Sequence, residues 1–242
     1  LPHEGPKVIP MALKDRYDAI RTQVADACAA SGRDASAVRI IGVSKTVDVD
    51  AVAEAVAAGI HDFGENRPDE LARKHDSFPS ERWHFIGNIQ SRHLKDVVGR
   101  ACLIHSLYRP SHADKIDRLA DAAGIVQDVL IEVNDGEENK QGLSASELPA
   151  MIEHCFGLAH VRVRGLMMMA PKDSPEEADA SFARLARIRE EMRQRFGAQG
   201  LTLDLDELSM GMSDDYLQAI PYGSTMVRIG RAIFSDTYGL CG

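Results

Sequence analysis

The sequence predicts a (β/α)8 TIM barrel preceded by one extra N-terminal helix, and three observations carry that expectation. Eight apolar, strand-like runs occur within 242 residues. Each is followed by a helix-periodic stretch or a short helical turn, an alternation that makes a parallel sheet. Eight such units in about 250 residues are what closure of this barrel takes. An open doubly wound sheet is the alternative. It is usually marked by a glycine-rich first turn, and neither G-x-G-x-x-G nor G-x-x-x-x-G-K-[ST] occurs here.

The extra helix is read from Leu13, Tyr17, Ile20, Val24, Ala27 and Cys28, which recur at helical spacing and stop near Ser31-Gly32. "VRIIGVSK" (38–45) is the first strand, and the stripe Val49, Val52, Ala53, Val56 that follows it ends at Gly59. "IHDFGEN" (60–66) leads into a helix with Pro68 in its first turn, where a missing N–H costs nothing. "WHFIGNIQ" (83–90) precedes a short helix to Gly99. "CLIHSL" (102–107) precedes a helix carrying Ile116, Leu119, Ala120 and Ala123. "VQDVLIEVN" (126–134) precedes a helix over 145–156. "VRVRGLMMM" (161–169) precedes a long helix over 175–196, with Phe182, Leu185, Ile188, Met192 and Phe196 on its apolar face. "LDELSMGMS" (203–213) and "TMVRIGRAIF" (225–234) complete the series. Residues 1–12, with three prolines in the first ten, read as a flexible lead rather than a signal peptide, and 13–242 as a single barrel domain.

Composition narrows the function classes. Lysine plus arginine number 28 against 37 acidic residues, a net charge of −9. There is no basic face with interleaved aromatics, so nucleic acid is not an expected partner. No 18-residue apolar run is present, so no membrane span is expected. The four cysteines are far apart and form no C-x-x-C pair, which fits a reducing, cytoplasmic setting. The nine histidines show no metal-binding spacing, and G-x-S-x-G is absent.

Barrel enzymes and binding proteins place their sites at the C-terminal strand ends, and chemically capable residues collect there. Strand 1 ends on Ser44-Lys45, strand 2 on Glu65-Asn66, and strand 5 is followed by Asn134, Asn139 and Lys140. Lys45 reads either as a lysine snorkelling to solvent or as an amine held at the mouth against apolar walls. In the second case the free amine can form a Schiff base with an aldehyde. "SMGMSDD" (209–215) resembles a turn opening a helix: Gly211 permits unusual backbone, and Ser213 either caps the next helix or faces an anion. Gly230, just past strand 8, lets backbone N–H groups approach an anion where such barrels usually bind phosphate. Arg228, inside an apolar strand, needs a carboxylate or a ligand. If the ligand is an aromatic aldehyde phosphate, Arg228 could face a ring nitrogen, an arginine partner being one recognised arrangement for pyridoxal phosphate. His84 reads first as a hydrogen-bonded core residue, and Met167–Met169 as barrel packing.

Together, "VSKT" with Lys45, "FGEN" (63–66), "WHFIGNIQS" (83–91), "LIEVN...ENKQGL" (130–143), "RGLMMMAP" (164–171), "LSMGMSDD" and "GSTMVRIGRAIF" resemble the pyridoxal-phosphate homeostasis protein family, single-domain relatives of the alanine racemase N-terminal barrel. The resemblance implies that Lys45 holds pyridoxal 5′-phosphate (PLP) as an internal aldimine and that Arg228 approaches the pyridine nitrogen. Ser213 and the backbone of Gly230 and Arg231 would hold the phosphate, with Ser209 and Met212 nearby, while Asn66, His84 and Met167 line the pocket. The chain departs from the family at Gly87-Asn88-Ile89-Gln90, where Gly-Pro-Leu-Gln is common, and at Ser235, where glycine is usual. The resemblance implies that alanine racemase takes its second acid/base from a C-terminal β-domain and a partner subunit, whereas this sequence stops about ten residues after strand 8. The expectation is therefore a PLP-binding protein that buffers or delivers vitamin B6, with apo PLP-dependent enzymes as partners and no strong enzymatic activity. A PLP-dependent amino-acid racemase and a Schiff-base aldolase are the other readings.

Overall fold

The computed structural model describes residues 11–134, 136, 141–171 and 174–238. Most of the expected lead, together with Asn139, Lys140 and Cys241, lies outside these residues. Helix α1 (Leu13–Ala30) precedes eight strand units. These are β1 (Arg39–Val43) with α2 (Val49–Ala57), β2 (Asp62–Glu65) with α3 (Pro68–Ser77), β3 (Arg82–Phe85) with α4 (Leu94–Val97), and β4 (Leu103–Leu107) with α5 (Pro110–Ala123). The second half comprises β5 (Gln127–Glu132) with α6 (Leu148–Phe156), β6 (Val161–Met167) with α7 (Pro175–Gly197), β7 (Glu207–Met212) with α8 (Tyr216–Ala219), and β8 (Met226–Ile229) with α9 (Arg231–Phe234). All eight strands pair in parallel with their sequence neighbours, and β8 closes on β1 through Arg39↔Met226 to Gly42↔Ile229.

Two apolar layers hold the barrel, because each strand buries both faces. The outer layer packs the strands against the helices and contains the predicted stripe Phe182, Leu185, Ile188, Met192 and Phe196 of α7. The inner layer is a separate cluster of Ile41, Leu103, Leu130, Met167 and Met226, contributed by five different strands. Close approach dictates one residue outright. A Cβ on Gly165 of β6 would lie 1.8 Å from the Glu207 carbonyl oxygen, so no side chain fits where β6 meets β7.

The strands are shorter than the apolar runs predicted, since a run continues into the loop after its ladder partner ends. β1 stops at Val43 because its last ladder partner on β2 is Gly64. α6 starts at Leu148 rather than 145, because the Glu147 carboxylate folds back to accept from both the Ser144 N–H and its hydroxyl, forming a separate turn. α7 starts as expected for a capped helix: the Ser174 hydroxyl accepts from the Glu177 N–H, and Pro175 occupies the first position. No helix among the described residues is long and apolar enough to cross a membrane.

Candidate functional site

The alternation of β1 sets the site's first residue. Val43 is buried, Ser44 is buried and turned toward α3, and Lys45 follows in a turn with its side chain exposed. The predicted amine held against apolar walls is therefore not what the structure shows. Burial falls on Ser44, and a clamp beneath the lysine is its consequence. The Ser44 hydroxyl donates to Glu65 Oε1 at 2.7 Å, while Lys74 Nζ of α3 donates to the Ser44 carbonyl at 2.7 Å and to Glu65 Oε1 at 2.5 Å. Both Lys74 and Glu65 are fully buried. Three polar groups thus fix the backbone from which Lys45 projects; sequence reading placed Glu65 at the rim without its partner, and missed Lys74.

Arg228 of β8 is buried inside the barrel. Its Nη1 donates to Ser209 Oγ at 2.6 Å and its Nη2 to the Met168 carbonyl at 2.8 Å. Both acceptors are neutral. Among the described residues the guanidinium makes no ion pair with a carboxylate. Burial lowers its pKa to about 10, opposed by the charges of Asp215 and Glu132, so the group stays protonated at neutral pH. Its remaining N–H donors are the groups a bound acceptor would meet.

The line continues below Ser209. The Ser209 hydroxyl meets His105 Nδ1 at 2.9 Å, His105 Nε2 meets His84 Nδ1 at 3.0 Å, and His84 Nε2 meets Asp62 Oδ1 at 3.1 Å. Burial lowers the pKa of both histidines, well below the ordinary value for His105, with Asp62 opposing the shift at His84. Burial would raise Asp62, but hydrogen bonds from Arg82 and His84 outweigh it and hold the carboxyl at about 2. His84 was expected to line the pocket. Instead both of its ring nitrogens are engaged within the barrel, and it reaches the mouth only through His105, a residue that sequence reading passed over. The available signal was a second histidine, in "LIHSL", placed like the first in a buried strand.

At the β7 and β8 ends, Gly211 has φ +97, and a Cβ there would lie 2.9 Å from Tyr216 Cα, so the turn requires glycine as expected. Ser213 does not cap α8. That position belongs to Asp215, whose Oδ1 accepts from the Met212 N–H at 2.5 Å. The Ser213 hydroxyl instead accepts from the Ala232 N–H at 3.4 Å, joining the β7 loop to the start of α9. Gly230 packs closely, as its Cβ would stand 3.2 Å from the Val43 carbonyl oxygen. The Arg231 side chain turns away to pair with Asp214 and to lie over Tyr238, leaving its backbone at the turn. Met167 belongs to the inner cluster, and Asn66 is exposed at the end of β2 beside a polar cleft of about 440 Å³ that Asn88 and Gln90 also line.

Glu132, at the end of β5, is a further residue that sequence reading missed. Burial raises its pKa to about 7, opposed by the charge of Arg228. A folded-state pKa above the unfolded one means that the folded state binds more protons, so stability falls as pH rises. The contribution is full below about pH 4.5 and lost as pH passes 7. Glu132→Gln is therefore expected to gain stability above pH 7, by on the order of 3 kcal/mol, and to match the parent near pH 4. Denaturant melts of the ligand-free protein across this range check it, and parallel stability curves would contradict it.

A barrel with a lysine after β1 and a buried arginine on β8 defines a class, and comparison with known proteins agrees. The family model "Alanine racemase, N-terminal domain" matches residues 16–237. The pyridoxal phosphate homeostasis protein of Aquifex aeolicus is 37% identical over 226 residues, covering 92% of this chain and 97% of that one. The Pseudomonas aeruginosa protein of the same name is 39% identical over 218 residues, covering 89% and 91%. PipY of Synechococcus elongatus, solved with PLP bound, superposes with a TM-score of 0.81 at 31% identity, covering 92% of this chain and all of that one. A Clostridium difficile alanine racemase, 13% identical with a TM-score of 0.70, shares the fold. The chain belongs to the pyridoxal phosphate homeostasis protein family.

Proposed function

We propose that this protein binds PLP through Lys45 and holds or delivers it in vitamin B6 homeostasis, without strong catalysis of its own. The observation that carries the reading is Arg228, a buried, protonated guanidinium that among the described residues bonds to two neutral acceptors, fewer than its five N–H donors can serve. An acceptor-bearing ring satisfies it. Lys45 would supply the amine that captures the cofactor's aldehyde, with loss of one water. Ser213 and the backbone N–H groups at Gly230 and Arg231 take the phosphate, with Ser209 and Met212 alongside, and Asn66 and Met167 border the ring.

The same arginine argues for a carrier. A permanently charged guanidinium at the pyridine nitrogen disfavours its protonation, which weakens the ring as an electron sink. The family name of the relatives points the same way. Addition of PLP to the purified protein is expected to produce a visible-light absorbance, and borohydride is expected to fix the cofactor on Lys45. Mixing the loaded protein with apo PLP-dependent enzymes is expected to restore their activity faster than the protein's spontaneous release of PLP. A colourless protein, or fixation on another residue, would overturn the binding claim.

One observation favours the racemase reading: Glu132, with a carboxyl near pKa 7 at the mouth, is suited to acid/base work. Sustained exchange of an amino acid's α-hydrogen in deuterated water, lost in Glu132→Gln, would establish it.

A further inference from the structure

Five side chains form a continuous polar line across the barrel interior. It runs from Asp62 on β2 through His84 on β3, His105 on β4 and Ser209 on β7 to Arg228 on β8. Elsewhere the interior is filled by Ile41, Leu103, Leu130, Met167 and Met226. Apolar residues of similar volume would serve stability as well as this line does, because buried polar groups gain little once desolvation is counted. Stability is therefore a weak reason for it.

The line has one direction. Ionised Asp62 only accepts, so His84 Nε2 carries the proton, and neutral His84 must then accept at Nδ1. His105 accordingly donates from Nε2 and accepts at Nδ1. The Ser209 proton points at His105, leaving a Ser209 lone pair for the Arg228 guanidinium. No member can reverse without leaving a buried donor facing a donor. Without His105 the Ser209 hydroxyl is free to rotate its proton toward Arg228, which would push the guanidinium from its seat.

We propose that His105, held in turn by His84, is a positioning residue that seats Arg228 against the ring nitrogen of the bound cofactor. It acts through Ser209 and touches no ligand itself. The inference rests on the PLP reading above and adds to it the determinant of ring recognition. The line ends on Asp62, gripped from below by Arg82 at 2.5 Å and approached by Arg39 at 3.7 Å. The anchor is thus at the floor of the barrel and the effect at its mouth.

The test compares PLP with its 1-deaza analogue, which keeps the aldehyde, hydroxyl and phosphate but replaces the ring nitrogen by a carbon. Both are titrated into full-length protein, following visible absorbance, with the ligand-free melting temperature recorded for each variant. His105→Leu is expected to weaken PLP about tenfold, the worth of one misplaced hydrogen bond to a charged group, and to leave the analogue's affinity unchanged. His105→Gln, which keeps one donor and one acceptor, is expected to restore PLP binding. If His105→Leu does not fold, His84→Leu carries the same selective expectation, because it leaves His105 free to change tautomer. Equal weakening of both ligands, or no weakening of either, would overturn the positioning role. Failure of the parent protein to bind PLP at all would instead overturn the underlying reading.

Discussion

Lys45→Ala is expected to abolish the visible absorbance that PLP produces with the parent protein, at any cofactor concentration. Absorbance shifted from that of the free cofactor requires a C=N bond, and that bond requires a free amine at the mouth. The next lysine in the chain cannot replace it. Lys74 is fully buried on α3, and its Nζ is held by the Ser44 carbonyl and Glu65. Lys45→Arg is expected to be equally colourless, because a guanidinium does not form the imine and stays protonated. Weak, colourless binding of the phosphate is expected to persist in both variants, since Ser213 and the Gly230 turn are untouched. Equilibrium dialysis against labelled cofactor separates the two components. Residual colour in Lys45→Ala would show that another amine is the attachment point.

The second large effect falls on stability. Lys74→Met is expected to cost about 3–5 kcal/mol, the usual result of removing one partner from a buried ion pair. It leaves the Glu65 carboxylate without its cation, and Glu65 Oε2 already has no hydrogen-bond partner among the described residues. The double variant Lys74→Met, Glu65→Leu is expected to recover most of that loss, since an apolar pair of similar size packs without desolvating charge. Recovery of colour is not expected to follow in full, because the Ser44 carbonyl still lacks the donor that holds the Lys45 turn. Denaturant midpoints measured on the single and double variants supply the cycle. A single variant within about 1 kcal/mol of the parent would show that the pair is not the clamp described.

The barrel was legible because its signals are local. Each strand and helix is written in contiguous residues as a run or a period, as in the α7 stripe from Phe182 to Phe196, and eight repetitions leave little choice of architecture. Gly211 was legible for a different reason: its position tolerates only a residue that accepts a left-handed backbone, and the structure shows that backbone; Arg228 stood out by the same logic, and the structure gives it the Ser209 hydroxyl and the Met168 carbonyl as acceptors rather than a carboxylate. Lys45 was found by the same oddity, though its surroundings were misjudged. A strand's alternation says which way a side chain points, but not whether neighbouring loops cover it.

His105, Glu132, Lys74 and the true partner of Ser213 were out of reach because each acquires its meaning from a residue distant in the chain. The links of the interior line span sequence separations of 22, 21, 104 and 19 residues, and nothing in "LIHSL" alone tells whether its histidine meets solvent, a carboxylate or a serine. Periodicity and composition, which are properties of neighbours along the chain, settled the class of fold and the rim on which the chemistry lies. Strand register around the closed barrel, which only tertiary packing decides, settled which buried polar groups face one another, because a shift of one residue would turn each of them to the opposite face of the sheet.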